Sequence, residues 1–165
     1  MKHLALTFCL ALAAAGATTV YGQQSGDRMF DQAASGVYLL TQKDGYLRLL
    51  TLRQDGTVSQ VSPQQTILGF TAGEGAWHRT GETELTARIV DFDFDPRNGK
   101  PTGATLIHYV LTFSDLELSG FQKVAGQYSG KQYALGQNPL DPNAKAIRSF
   151  GVEFTGQRVR ASVKN

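Results

Sequence analysis

An antiparallel up-and-down β-barrel of about eight strands is the fold class this sequence predicts, with a β-sandwich as the alternative. Three observations carry it. From Gly36 onward, short apolar runs are cut by turn signals at regular intervals. No stretch of about ten residues or more places apolar side chains at helical spacing. The links between runs are tight, which implies a nearest-neighbour meander, and closing a meander on itself removes its exposed edges.

The first element is not part of the fold. Lys2 precedes an apolar and small-residue run from Leu4 to Ala17, followed by Thr18, Thr19, Val20, Tyr21 and Gly22. A charged start, a short apolar core and small residues before the cut are what a signal peptidase reads. Residues 1–22 are therefore expected to be a signal peptide cut before Gln23, giving a secreted or periplasmic protein. The run falls short of the ~20 residues a bilayer span needs, so no membrane span is expected after processing. Cys9, the one cysteine, sits in mid-run behind Leu6, Thr7 and Phe8, not at a lipid-anchoring position. The mature chain is thus expected to be free of disulfide and thiolate chemistry.

Residues 23–35 read as a flexible leader, loosely packed and with room for one helical turn, with Met29 and Phe30 its large apolar pair. Residues 36–161 form the single domain. Val37–Gln42 runs to the Lys43-Asp44-Gly45 turn. Tyr46–Arg53 ends at Gln54-Asp55-Gly56, and Thr57–Ser62 returns as its hairpin partner. A looser segment from Pro63 to Gly75 precedes Ala76–Thr80. Glu84–Asp95 leads to Asn98-Gly99, the strongest short hairpin signal. Gly103–Ser114 follows, with a turn at Asp115, then Leu116–Gly126. Ser129-Gly130 reads as a further turn before a short strand at Lys131–Leu135, and Ser149–Ala161 closes the set.

Alternation sorts the faces. Thr105, Ile107, Tyr109, Leu111 and Phe113 share one face, as do Phe150, Val152 and Phe154. Glu84–Asp95 breaks the pattern, because Leu85, Ala87 and Ile89 oppose Phe92 and Phe94. A bulge near Val90–Asp91 would turn all five inward and leave Asp91, Asp93 and Asp95 outside, where a solvated face costs nothing.

Gly75-Ala76-Trp77, Phe94-Asp95, Asn98-Gly99 and the run from Leu111 to Gly120 resemble a pattern in exported bacterial barrel proteins. These are similar to lipocalins (calycins) and, more distantly, to allene-oxide-cyclase-like barrels. Lipocalins carry Gly-x-Trp in the first strand and an arginine near the end of the last. Gly36-Val37-Tyr38 is the first-strand match with Tyr for Trp, Gly75-Ala76-Trp77 has the residues in a later strand, and Arg158 is the arginine. The resemblance implies a closed barrel with a small interior.

Chemistry is sparsely signalled. The histidines beyond the signal, His78 and His108, form no metal-ligand spacing and fall on outward faces. No metal site is expected. Neither a nucleophile elbow, a P-loop nor a dinucleotide fingerprint is present, so no cofactor is expected and no catalytic residue is assigned. With 16 basic and 14 acidic residues unclustered, nothing suggests nucleic-acid binding. The expected partner is a small hydrophobic ligand inside the barrel, touched by Tyr38, Trp77, Tyr109, Phe113, Phe154 and Arg158. Arg158 is expected to point inward and stack on the ring of Tyr38 or Trp77, with Gly156 leaving room for that ring.

Three functions fit such a barrel: a carrier of a small apolar or aromatic molecule, an isomerase or cyclase, and a structural or interaction domain with a filled core. A cavity free of ionisable groups would favour the first. One ending at a buried carboxylate would favour the second, and no cavity the third.

Overall fold

The computed structural model describes residues 28–161; the segment expected to be a signal peptide, the cut expected before Gln23 and the start of the expected leader lie outside them. Residues 28–34 form a helical segment, α1. Eight strands then follow: β1 (Gly36–Gln42), β2 (Leu47–Leu52), β3 (Thr57–Val61), β4 (Gly73–Arg79), β5 (Glu84–Phe94), β6 (Pro101–Glu117), β7 (Gly120–Ala134) and β8 (Arg148–Arg158). One helical turn, α2 (Gln65–Leu68), lies between β3 and β4. Each strand pairs with its neighbours in sequence, and β1 pairs with β8 to close the barrel. The fold is therefore the closed antiparallel meander that the turn spacing predicts, and the sandwich is excluded.

The hairpins form where turn chemistry puts them. Asp55 accepts from the Thr57 N–H at 2.9 Å and its hydroxyl at 2.6 Å, while Gly56 supplies the left-handed backbone at φ 81°. At the β5–β6 hairpin Asp95 caps the turn from Arg97 and Asn98, and Gly99 takes φ 70°. The inward faces of β2, β5 and β6 bury Leu50, Leu52, Leu85, Ile89, Ile107 and Leu111.

Four expectations need correction. The leader is not loosely packed over its described part: Phe30 is only 5% exposed and Ala34 is fully buried. The turn expected at Asp115 lies instead at Leu118-Ser119; Asp115 adopts φ 55° yet stays within the ladder. Ser129-Gly130 is not a turn, because β7 runs straight through it. Gly130 faces Phe150 across the β7–β8 ladder, and a Cβ there would meet the Phe150 ring at 2.1 Å. The glycine is a seat for a ring rather than a bend.

The last correction bears on function. β5 has no bulge at Val90–Asp91. Its register with β6 is unbroken from Glu84↔Thr112 to Asp93↔Gly103 and slips only between Asp93 and Phe94. Strict alternation therefore turns Asp91 (3% exposed) and Asp93 (7%) inward, and Phe92 (64%) outward.

Candidate functional site

The two ends of the barrel differ. One is packed shut. α1 lays Phe30 across the opening, with ring centroids 6.5 Å from Trp77, 6.1 Å from Phe113 and 5.9 Å from Phe121. Trp77 donates its indole N–H to the Arg53 carbonyl at 2.9 Å, and the Arg79 guanidinium covers the Phe30 ring at 4.8 Å. Beside this plug Arg158 points inward from the end of β8. Its Nη1 lies 3.1 Å from the Ala33 carbonyl, 3.1 Å from the Tyr38 hydroxyl and 3.2 Å from the Phe121 carbonyl, and its Nη2 donates to the Ser35 carbonyl. It stands 5.6 Å from the Tyr38 ring centre. Gly36 and Gly120 make this possible, since a Cβ on either would collide with the guanidinium. Gly156 does not seat the ring, as had been expected; Leu40 and Val124 fill its space.

The other end is open. A cavity of about 400 Å³ reaches in between β2, β5, β6, β7 and β8, with α2 and Phe70 at its mouth. Phe150, Val152, Ile107 and Tyr128 form apolar wall; Asp91, Asp93, Thr105 and Arg48 form the polar side. Larger hollows around Lys43 and His108, and around Trp77 and His78, lie on the outer surface rather than in the barrel. They bring together no comparable set of buried polar groups.

A hydrogen-bonded network lies at the cavity. Arg48 shares the inward parity of Leu50 and Leu52 on β2, and Gln60 that of Val58 on β3. Arg48 Nη1 donates to Gln60 Oε1 at 2.7 Å and to the Tyr109 hydroxyl at 3.2 Å, and Nη2 reaches the Tyr128 hydroxyl at 3.5 Å. Its guanidinium also stacks 4.7 Å from the Tyr128 ring centre. Tyr109 donates to Gln60 Oε1 at 2.7 Å. The Gln60 amide then donates to Asp91 Oδ2 at 3.2 Å. Asp93 accepts from the Thr105 hydroxyl at 2.9 Å. Two polar atoms here stay buried without a hydrogen-bond partner, Arg48 Nε and Asp91 Oδ1.

Electrostatics follow from this geometry. Burial, reinforced by the neighbouring Asp93 carboxylate, pushes Asp91 up to about 7 against the pull of Arg48 and the Gln60 amide. Burial works against the Arg48 charge, but the surrounding Tyr109, Tyr128 and Asp91 oxygens more than offset it, and its pKa rises. Tyr109 is driven upward by burial as well, so its phenol stays neutral and can donate.

The six side chains anticipated as ligand contacts separate between these regions. Tyr38, Trp77, Phe113 and Arg158 belong to the closed end. Phe154 lies mid-barrel, its ring 5.9 Å from Tyr109 and 6.2 Å from Tyr128. Tyr109 alone joins the cavity's network, from a fully buried position beneath it. Sequence reasoning missed Arg48, Gln60, Thr105 and Tyr128 as site residues and turned Asp91 and Asp93 outward. Plain period-two parity was the signal that would have found Arg48 on β2, Gln60 on β3 and the two aspartates on β5, and, once β7 is read as one unbroken strand, Tyr128 as well. Thr105 already lay on the inward face read for β6. His78 and His108 are exposed, as alternation predicts. Among the described residues no group of three or more His, Cys, Asp or Glu could hold a metal ion. No helix among them is long and apolar enough to cross a membrane. Comparison with family models, curated proteins and solved structures finds no match for this chain.

Proposed function

We propose that the chain is an exported, lipocalin-like barrel that holds a small, partly apolar molecule in the cavity at its open end. The observation that carries this reading is the unequal filling of the barrel. Aromatic side chains pack one end solid, while the other opens into a cavity bounded by apolar walls and by buried polar groups that lack a full set of partners. A volume of about 400 Å³ lies at the lower end of small-molecule sites, which span roughly 300–1,000 Å³. A filled structural core would have closed both ends alike. Export rests on residues 1–22, whose charged start, apolar run and small residues match a secretory signal.

The test is titration of the chain from Gln23 onward with the neutral, fluorescent N-phenyl-1-naphthylamine. Saturable binding is expected in the parent and its loss in Val152→Trp, which blocks the cavity wall. Trp77→Phe at the closed end should leave it intact. Equal binding by parent and Val152→Trp would remove the cavity from consideration.

One observation favours a second reading, an isomerase or cyclase of the allene-oxide-cyclase-like kind. Asp91 borders the cavity, and with its pKa near 7 it can both accept and return a proton at neutral pH. An enolisable aromatic ketone such as 2-tetralone, incubated in deuterated water, would then exchange its acidic C–H faster with the parent than with Asp91→Asn. Identical exchange rates in the two would exclude proton transfer by this carboxylate.

A further inference from the structure

Building on the cavity reading, we infer that the site selects a small organic cation: an apolar or aromatic body carrying a protonated amine, met by the carboxylates of Asp93 and Asp91. The starting point is a charge imbalance. Asp91 and Asp93 are buried on one face of β5 and both border the cavity. Neither makes an ion pair with the buried cation nearby. Arg48 directs its Nη donors to Gln60, Tyr109 and Tyr128, all neutral, and lies against the Tyr128 ring. Asp93 has one hydroxyl donor, from Thr105, for two oxygens.

Asp91 supplies an independent indication. At 3% exposure its Oδ2 receives the Gln60 amide, but its Oδ1 has no hydrogen-bond partner at all. A buried acceptor left open costs free energy until a donor arrives. Two buried carboxyl groups that border one cavity and receive only neutral donors are complementary to a group that brings both N–H donors and positive charge. An ammonium does both.

The rest of the cavity specifies the body of the ligand. Phe70, Tyr128 and Phe150 give it aromatic wall, suited to a flat apolar frame and to cation–π contact with the head group. A metal ion fits less well, because no third His, Cys, Asp or Glu joins the two acids among the described residues. An anion is disfavoured too. The exposed Arg148 at the rim shares the cavity lining with Asp44, and Arg48 commits both of its Nη groups to Gln60, Tyr109 and Tyr128, so that only its Nε is open against two carboxyl groups.

The experiment compares three probes with one indole body, tryptamine, tryptophol and indole-3-propionic acid, by titration calorimetry against the mature chain. A charge-assisted contact predicts the amine to bind about tenfold or more tightly than the alcohol, and the acid to bind more weakly than both. Asp93→Asn should cancel most of the advantage of the amine over the alcohol. The parent comparison decides even if that variant does not fold. Equal affinity for amine and alcohol, or preference for the acid, overturns the inference. If N-phenyl-1-naphthylamine binds while the amine shows no advantage, the cavity reading stands and cation selectivity falls. If no probe binds, both fall.

Discussion

Arg158 touches four acceptors at once, on three separate stretches of chain: the carbonyls of Ala33 in α1 and of Ser35 just after it, that of Phe121 on β7, and the Tyr38 hydroxyl on β1. Arg158→Ala is expected to lower stability by about 1–3 kcal/mol, since the orphaned carbonyls lose charge-assisted donors. Lysine, lacking the planar fork, should recover only part of it. The denaturant midpoint reads both, and a midpoint equal to the parent's would refute the staple. Asp91 behaves in the opposite sense. Its folded-state pKa of about 7 lies above the 3.8 of the free group, so between those values the folded state holds more protons than the unfolded one. Stability attributable to this residue therefore falls as pH rises from about 4 to 7 and is level above that. Asp91→Asn should gain on the parent across the same window, by an amount of order a few kcal/mol. Parallel curves of stability against pH for parent and variant would mean that Asp91 is already ionised. The inward Arg158 beside Tyr38 was legible from alternation along β8 and from the glycine-aromatic pattern of β1. The inward Asp91 was not, for a physical reason. Two carboxylates on a core face look too expensive, and a bulge is the cheaper assumption until cross-strand partners such as Gln60 and Thr105 are known.

α1 shows how a short element can decide the character of a whole end of the molecule. It presents Phe30 to Trp77, Phe113 and Phe121, leaves Met29 in solvent, and ends under the Arg158 contacts. Phe30→Ala should cost about 3–5 kcal/mol, the range for deleting a buried aromatic ring. Binding of N-phenyl-1-naphthylamine at the far end should persist wherever the variant is folded. Loss of binding in a folded Phe30→Ala protein would mean that the two ends are coupled. The strands themselves were largely readable, because period two and turn residues are local signals. Gly130 and Asp115 were misread for the complementary reason. A glycine that seats Phe150 and an aspartate at φ 55° inside a ladder resemble turns until the opposite strand is in place. α1 was anticipated only as a single turn in a loose leader, because a two-turn helix with a single buried ring carries too little periodicity to register in full.

For the molecule as a whole, barrel closure could be anticipated from the count and spacing of strands, whereas the division into a packed end and an open end could not. That division depends on which side chains meet across strands far apart in sequence, such as Arg48 with Tyr128 or Phe30 with Phe121. The closed topology also has a consequence for how the chain reaches its fold. Seven seams of the barrel join successive strands, so each can form as a local hairpin or short meander. The eighth sets Tyr38 of β1 opposite Arg158 of β8, partners 120 residues apart. Relative to a tight hairpin, closing a loop of that length costs about 3 kcal/mol more in chain entropy if nothing else has formed. The cost shrinks once the intervening strands have curled and brought the ends together. The seam between β1 and β8 is thus the natural last step of folding, and Arg158, reaching from that seam to α1 and β7, is placed to lock it only after the sheet is otherwise complete.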